Sequence, residues 1–191
     1  MKIECIGAFR REDGRMADDD LGIRGKHSSS THEHPYWRFS IAFYARPGIQ
    51  ELLLKAQEDA LDINMMLYAL WQAGEEHSVS SGDFVKLNKA IADWRRTILL
   101  PIRALRHSLK SRDKGGELYA QAKALELSCE KVQQQIMYTQ ALHHLKSGIS
   151  SDAIDQLALN NLASYVEAMD LSLPKPVAEK LASELRSFVE T

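Results

Sequence analysis

Between residues 118 and 143, apolar and small side chains recur at alternating spacings of four and three. The series is Leu118, Ala122, Leu125, Cys129, Val132, Ile136, Thr139 and His143. A repeat of 3.5 residues sustained over about three and a half heptads is the pattern of a long helix laid along a neighbour. A helix with such a seam cannot stand alone, because the seam has to be covered. The partner at hand is the segment before it, joined by the short connection "SRDKGGE", which predicts a long antiparallel helical hairpin.

Most of the remaining chain has the same kind of period. Ile49, Leu52, Leu53, Ala56 and Ala60 form one stripe; Ile63, Met66, Leu67, Leu70 and Trp71 form a second. Asp62 stands at the N-cap position of the second stripe and Gly74 at its end. After the loop "EEHSVSSGD", Phe84, Leu87, Ile91 and Trp94 begin a third stripe, continued by Ile98, Ile102, Leu105 and Leu109. Pro101 interrupts it, predicting a kink or break. Residues 152–171 and 176–189 give two further amphipathic segments joined by "SLPKP". The expected fold is an all-α, compact helical bundle. At 191 residues the chain can bury a core, roughly 70% of its unfolded surface.

The stretch "YWRFSIAFYARPG", residues 36–48, alternates aromatic and other side chains with the period of a strand. A lone strand in a helical protein would leave its backbone polar groups unpaired. Residues 35–45 are therefore expected to form a helix, apolar nearly all round and deeply buried, with Pro35 at its first position. Arg46 precedes a proline and is pushed out of the helical region. Pro47 and Gly48 then read as a type II turn or as the start of the next helix. An arginine at a buried turn needs an acidic or carbonyl partner, and Asp62 is the expected one. Residues 1–34 are polar, rich in Gly, Ser and His, and without period, and are expected to be disordered. Met16, opening "MADDDLG", reads as an alternative start of the chain. The expected organisation is a disordered segment 1–34, a helical domain 35–146 and a helical extension 150–191.

Two features carry a family resemblance. Phe39, Ser40, Tyr44, Arg46, Pro47 and Gly48, followed by Asp62, Ile63, Asn64, Leu67, Leu70 and Trp71, resemble the signature of a proteobacterial family of conserved hypothetical proteins, domain of unknown function 2390. The likeness spans roughly residues 36–146, including "WRRTILLPIRALRHSLK" and "ALELSCEKVQQ". It implies an all-helical bacterial protein and implies no activity.

The residue inventory excludes several chemistries. No histidine has an acidic residue three positions before it, so the Glu-x-x-His pairs of a di-iron bundle are missing. There is no Gly-rich phosphate loop and no nucleophile elbow. Glu58, Asp59 and Asp62 lack the second acidic motif that a bridged Mg²⁺–diphosphate site requires, and read as capping and solvated groups. His27, His32, Glu33 and His34 read as a solvated tail, and His143 and His144 as complements to a helix C-terminus. Cys5 and Cys129 make neither a disulfide framework nor a zinc motif; Cys129, in the seam, reads as a small buried hydrophobe. No catalytic, cofactor or metal constellation emerges, and the longest apolar run is far below the ~20 residues that span a bilayer. A cytoplasmic location is expected.

Charge is distributed unevenly. Residues 50–83 hold seven acids against the single Lys55, a balance of −6; residues 95–114 hold seven bases against the single Asp113, a balance of +6. Arg96, Arg103, Arg106 and Lys110 make a candidate surface for RNA or another anionic partner; the competing expectation is that the acidic and basic segments lie side by side and neutralise each other. Three functions follow as expectations. The first is a non-catalytic protein-interaction or regulatory module with a protein partner as yet unidentified. The second is an RNA- or ribosome-associated protein. The third is a helical protein with an apolar pocket lined by Trp37, Phe43, Tyr44 and Trp71. The sequence sets nothing against self-association.

Overall fold

The computed structural model of the chain describes residues 33–58, 60–113, 115–144 and 153–191, with side chains described for all of these except 58 and 142–144. The expected disordered segment lies outside this range apart from its last two residues, as do Met16, His27, His32, Asp59 and Cys5. Every regular element among the described residues is helical: α1 (Pro35–Tyr44), α2 (Ile49–Glu58), α3 (Ile63–Gly74), α4 (Ser81–Trp94), a π turn (Arg95–Leu99), α5 (Leu100–Arg112), α6 (Glu117–His144), α7 (Ile154–Met169) and α8 (Lys175–Val189).

The starts and stops follow from local chemistry. At α1 the Trp37 N–H donates to Nδ1 of His34 at 3.1 Å, with Pro35 at the first position. His34 is buried, which places it in the fold and not in the solvated tail. Burial, then the nearby Lys131, lowers its pKa to about 4, so the ring stays neutral and can accept. Past Tyr44 the Ile49 N–H bonds back to the Arg46 carbonyl across Pro47 and Gly48, and Gly48 has φ +80°. That is the proline–glycine turn of type II, where only glycine adopts the third position without strain. Asp62 caps α3, its Oδ1 accepting from the Met65 N–H at 3.2 Å. Asp113 starts α6 by accepting from the Tyr119 N–H at 3.0 Å.

The helix buried on every side is α3, not α1. Every residue of α3 from Ile63 to Ala73 is buried. In α1, Tyr36, Trp37, Ser40, Phe43 and Tyr44 face inward, while Arg38 and Ala42 are exposed. α1 covers one flank of α3, where Tyr36 stacks on Trp71 at 5.1 Å and meets Tyr68 edge-on at 5.6 Å. α7 and α8 cover another flank, and Leu157, Leu162, Tyr165, Leu181 and Leu185 belong to the same core as α3. Asn161 ties α7 to α3 and to the loop after it. Its amide donates to the Ala69 and His77 carbonyls at 3.1 and 3.0 Å, and its Oδ1 accepts from the Val79 N–H at 2.9 Å. No described helix is long and apolar enough to cross a membrane.

Replacing the fully buried Asn161 with alanine removes all three bonds and leaves a buried N–H unmatched. The expected cost is about 2–4 kcal/mol, measured as a lowered midpoint in urea unfolding. Asn161→Ala at wild-type stability would remove its role as the tie.

Candidate functional site

The segment leading to Pro101 decides which side chains the α5/α6 hairpin encloses. A proline inside an α-helix has no N–H to give and its ring collides with the carbonyl four residues back. Here the helix widens before it: the Leu100 N–H bonds to the Arg95 carbonyl, five residues back. The Thr97 hydroxyl donates to the Asp93 carbonyl at 2.8 Å. A π turn inserts one residue into the helical phase. Ahead of it, Phe84, Leu87 and Ile91 point into the core. An undisturbed helix would continue inward through Ile98, Ile102, Leu105 and Leu109. The residues found inside are instead the next ones along, Leu99, Arg103 and Arg106.

Two arginines turned inward require carboxylates. α6 presents Glu126 and Glu130, both fully buried. Arg103 reaches Glu130 Oε1 at 2.9 Å and Glu126 Oε1 at 3.4 Å, while Arg106 pairs with Glu126 Oε2. Register falls on α6 as it rises on α5, so the hairpin is antiparallel, as expected. Ala122 and Cys129 of the expected seam are buried, but the face packed on α5 is displaced by one residue from its other members. Glu126, Glu130, Gln133 and Met137 are enclosed, whereas Leu118, Leu125 and Val132 are 59%, 49% and 41% exposed. Burial, opposed by Arg103, holds the Glu130 pKa at about 7. Burial and the two carboxylates raise the Cys129 thiol. The cluster continues to α3: the Gln134 amide donates to Asn64 Oδ1 at 2.8 Å, and the Tyr36 hydroxyl donates to the Asn64 carbonyl. Asp62 pairs with Arg95 at 3.0 Å.

This phase shift leaves an apolar flank beside the ladder. Ile102 and Leu105 directly precede Arg103 and Arg106; Leu125, Cys129 and Val132 directly precede Glu126, Glu130 and Gln133. In an antiparallel pair, positions one residue before the facing seam lie on the same side of both helices, 100° round from the contact. One side of the hairpin is therefore lined with apolar groups. Leu105 is 52% exposed there. The opposite side carries Ala104 and His107 from α5 and Leu127 and Lys131 from α6.

The residues singled out in the sequence have these places. Tyr44 is buried in α1, and Trp71 is buried with its indole N–H donating to Glu75 at 3.2 Å. Arg46 is paired with Glu184 at 3.3 Å and Ser187 at 3.1 Å, and lies over the Phe188 ring. Its expected partner, Asp62, lies instead with Arg95, because Asp62 is committed to the start of α3. Arg103 and Arg106 are inside the hairpin and form no anionic-partner surface. Arg96 is exposed and bonded to Asp93 at 2.9 Å, and Lys110 lies near the end of α5. The Arg95–Asp62 pair joins the basic to the acidic segment, but Arg103 and Arg106 take their carboxylates from α6. Trp37, Phe43, Tyr44 and Trp71 are buried side chains of the helix packing. Glu126 and Glu130 escaped sequence reasoning because they sit one place off an apolar seam; their spacing of four, complementary to Arg103 and Arg106 at three, was the available signal.

Glu126→Ala removes a carboxylate shared by two buried guanidinium groups. It is expected to cost about 3–5 kcal/mol, read by chemical unfolding. Glu130 behaves differently. Its folded pKa lies above the usual carboxylate value, so the folded protein keeps a proton that the unfolded chain releases between about pH 4.5 and 7, and stability from this group declines as pH rises through that window. Glu130→Gln abolishes the decline. Its stability relative to wild type is expected to increase from pH 5 to pH 8 by on the order of 2 kcal/mol, and a difference flat with pH would overturn the assignment.

Neither the curated proteins nor the solved structures give a match to the chain. The family model described as "Protein of unknown function (DUF2390)" matches residues 35–137. That stretch runs from the first turn of α1 to Met137 in α6 and holds the whole arginine–glutamate ladder. The chain belongs to the DUF2390 family.

Proposed function

We propose that this protein is a non-catalytic, cytoplasmic helical interaction module whose contact surface is the apolar side of the α5/α6 hairpin. One observation carries the reading: α6 is inverted relative to an ordinary surface helix. Along its middle Glu126 and Glu130 are enclosed, while Leu118, Leu125 and Val132 are exposed. A surface helix of a globular protein places apolar groups inward and charges outward. Leaving Leu105, Leu118, Leu125 and Val132 in water while enclosing Glu126 and Glu130 is what a helix does when a partner covers its outer face.

A photo-crosslinking amino acid placed at position 125 or 118 is expected to give covalent protein adducts in the native cell. The same group at the exposed position 89 on α4 serves as the comparison. Adducts confined to 118 and 125 support the contact surface; equal labelling at 89, or none at any position, would sink it.

A further inference from the structure

We infer that one enclosed turn of α6, from Glu130 to Gln134, is an internal binding site for a single water molecule, which Gln133 and Gln134 hold against the Glu130 carboxyl. The site lies on the enclosed side of the helix, away from the proposed contact surface.

Gln133 is fully buried, and among the described residues neither its Oε1 nor its Nε2 has a hydrogen-bond partner. An enclosed amide without partners is costly, and native interiors pair nearly all such groups. Glu130 Oε2 and Gln134 Oε1 are also buried and without a hydrogen bond; the other ends of these side chains are taken by Arg103 and Asn64. Residues three and four apart on a helix are neighbours on one face, so the three side chains converge. Together they offer three oxygens that accept and one amide that donates.

The ladder accounts for the lack of an answering side chain from α5. Arg106 with Glu126 and Arg103 with Glu130 set the register of the two helices. One turn further, that register sets Gln133 across from Leu99, which is buried and has no polar group to offer. A leucine reaches less far than the arginines that space the helices, so room for one water is expected in front of Gln133. Charge selects a neutral guest. Arg103 and Arg106 are balanced by Glu126 and Glu130, and Arg95 by Asp62, so an ion would leave an uncompensated buried charge. The guest has to donate to oxygens and accept from an amide. Water does both, and a buried water makes about three such bonds.

Glu130 then has Arg103 of α5 on one oxygen and the water on the other. Glu126 and Cys129 lie beside it on α6, and Asp62 at the start of α3. A donor on a carboxylate favours its ionised form, so losing the water raises the pH at which Glu130 releases its proton.

NMR of the full chain labelled with ¹³C and ¹⁵N tests the site. The Gln133 side-chain amide protons are expected to show cross-relaxation with water, with the sign of a long-lived bound molecule. Gln133→Met keeps the length of the side chain and removes both polar atoms. It is expected to raise the titration midpoint of Glu130, followed at its carboxyl carbon, by about one pH unit, and to lower the midpoint of urea unfolding. Absence of the water cross-peak in the wild-type chain overturns the site, whatever the variant does, so the test holds even if Gln133→Met fails to fold. An unmoved Glu130 midpoint in the variant, or a variant more stable than wild type, also overturns it, because Gln133 would then be an unpaired amide on which methionine improves.

Discussion

A one-residue displacement of helical phase governs the second half of this fold. The π turn before Pro101 rotates α5 by one position, which takes Arg103 and Arg106 inward and Ile102 and Leu105 to the side. Once two guanidinium groups are enclosed, only a helix offering carboxylates can lie against them. α6 therefore turns Glu126 and Glu130 in, and Leu125 and Val132 go out. The same shift of one appears on both helices because each answers the other.

Such a ladder contributes to uniqueness more than to net stability. Desolvating several charges costs nearly what their attraction returns, and apolar side chains of similar volume often serve as well. What an apolar seam lacks is a penalty for slipping. Sliding α6 by one turn against α5 would strand a buried charge, whereas leucines tolerate neighbouring registers. The aromatic packing of Tyr36, Tyr68 and Trp71 around α3 supplies the complementary part, a large apolar burial with little register information.

The legible and illegible parts of the chain divide along this line. Helix starts and turns were readable because one or two residues settle them locally: His34 with Pro35, Asp62, Pro47 with Gly48. The all-α class and the antiparallel hairpin followed from period alone. The inward face of α5 and α6 was not readable, since a period of apolar residues reports a stripe and not its direction, and the π turn depends on how the chain absorbs Pro101. Arg46 was rightly seen to need a partner, but that partner, Glu184, lies at the far end of the chain, beyond any local signal. Of the heptad seam, Ala122 and Cys129 do face inward, whereas Leu118, Leu125 and Val132 are exposed.

The covering of α3 by α7 and α8 bears on how the protein is made. α3 is buried around its whole circumference, and about 80 residues separate its end at Gly74 from the start of α7 at Ile154. At common elongation rates that interval is roughly 4–16 s. During it the emerging chain can lay α1, α2, α4 and α6 against α3 but has nothing for the flank that Leu157, Leu162 and Leu185 will occupy. Until the last forty residues leave the ribosome, that flank of α3 is uncovered apolar surface of the kind that makes a nascent chain prone to aggregate, and a message truncated after α6 would leave it so.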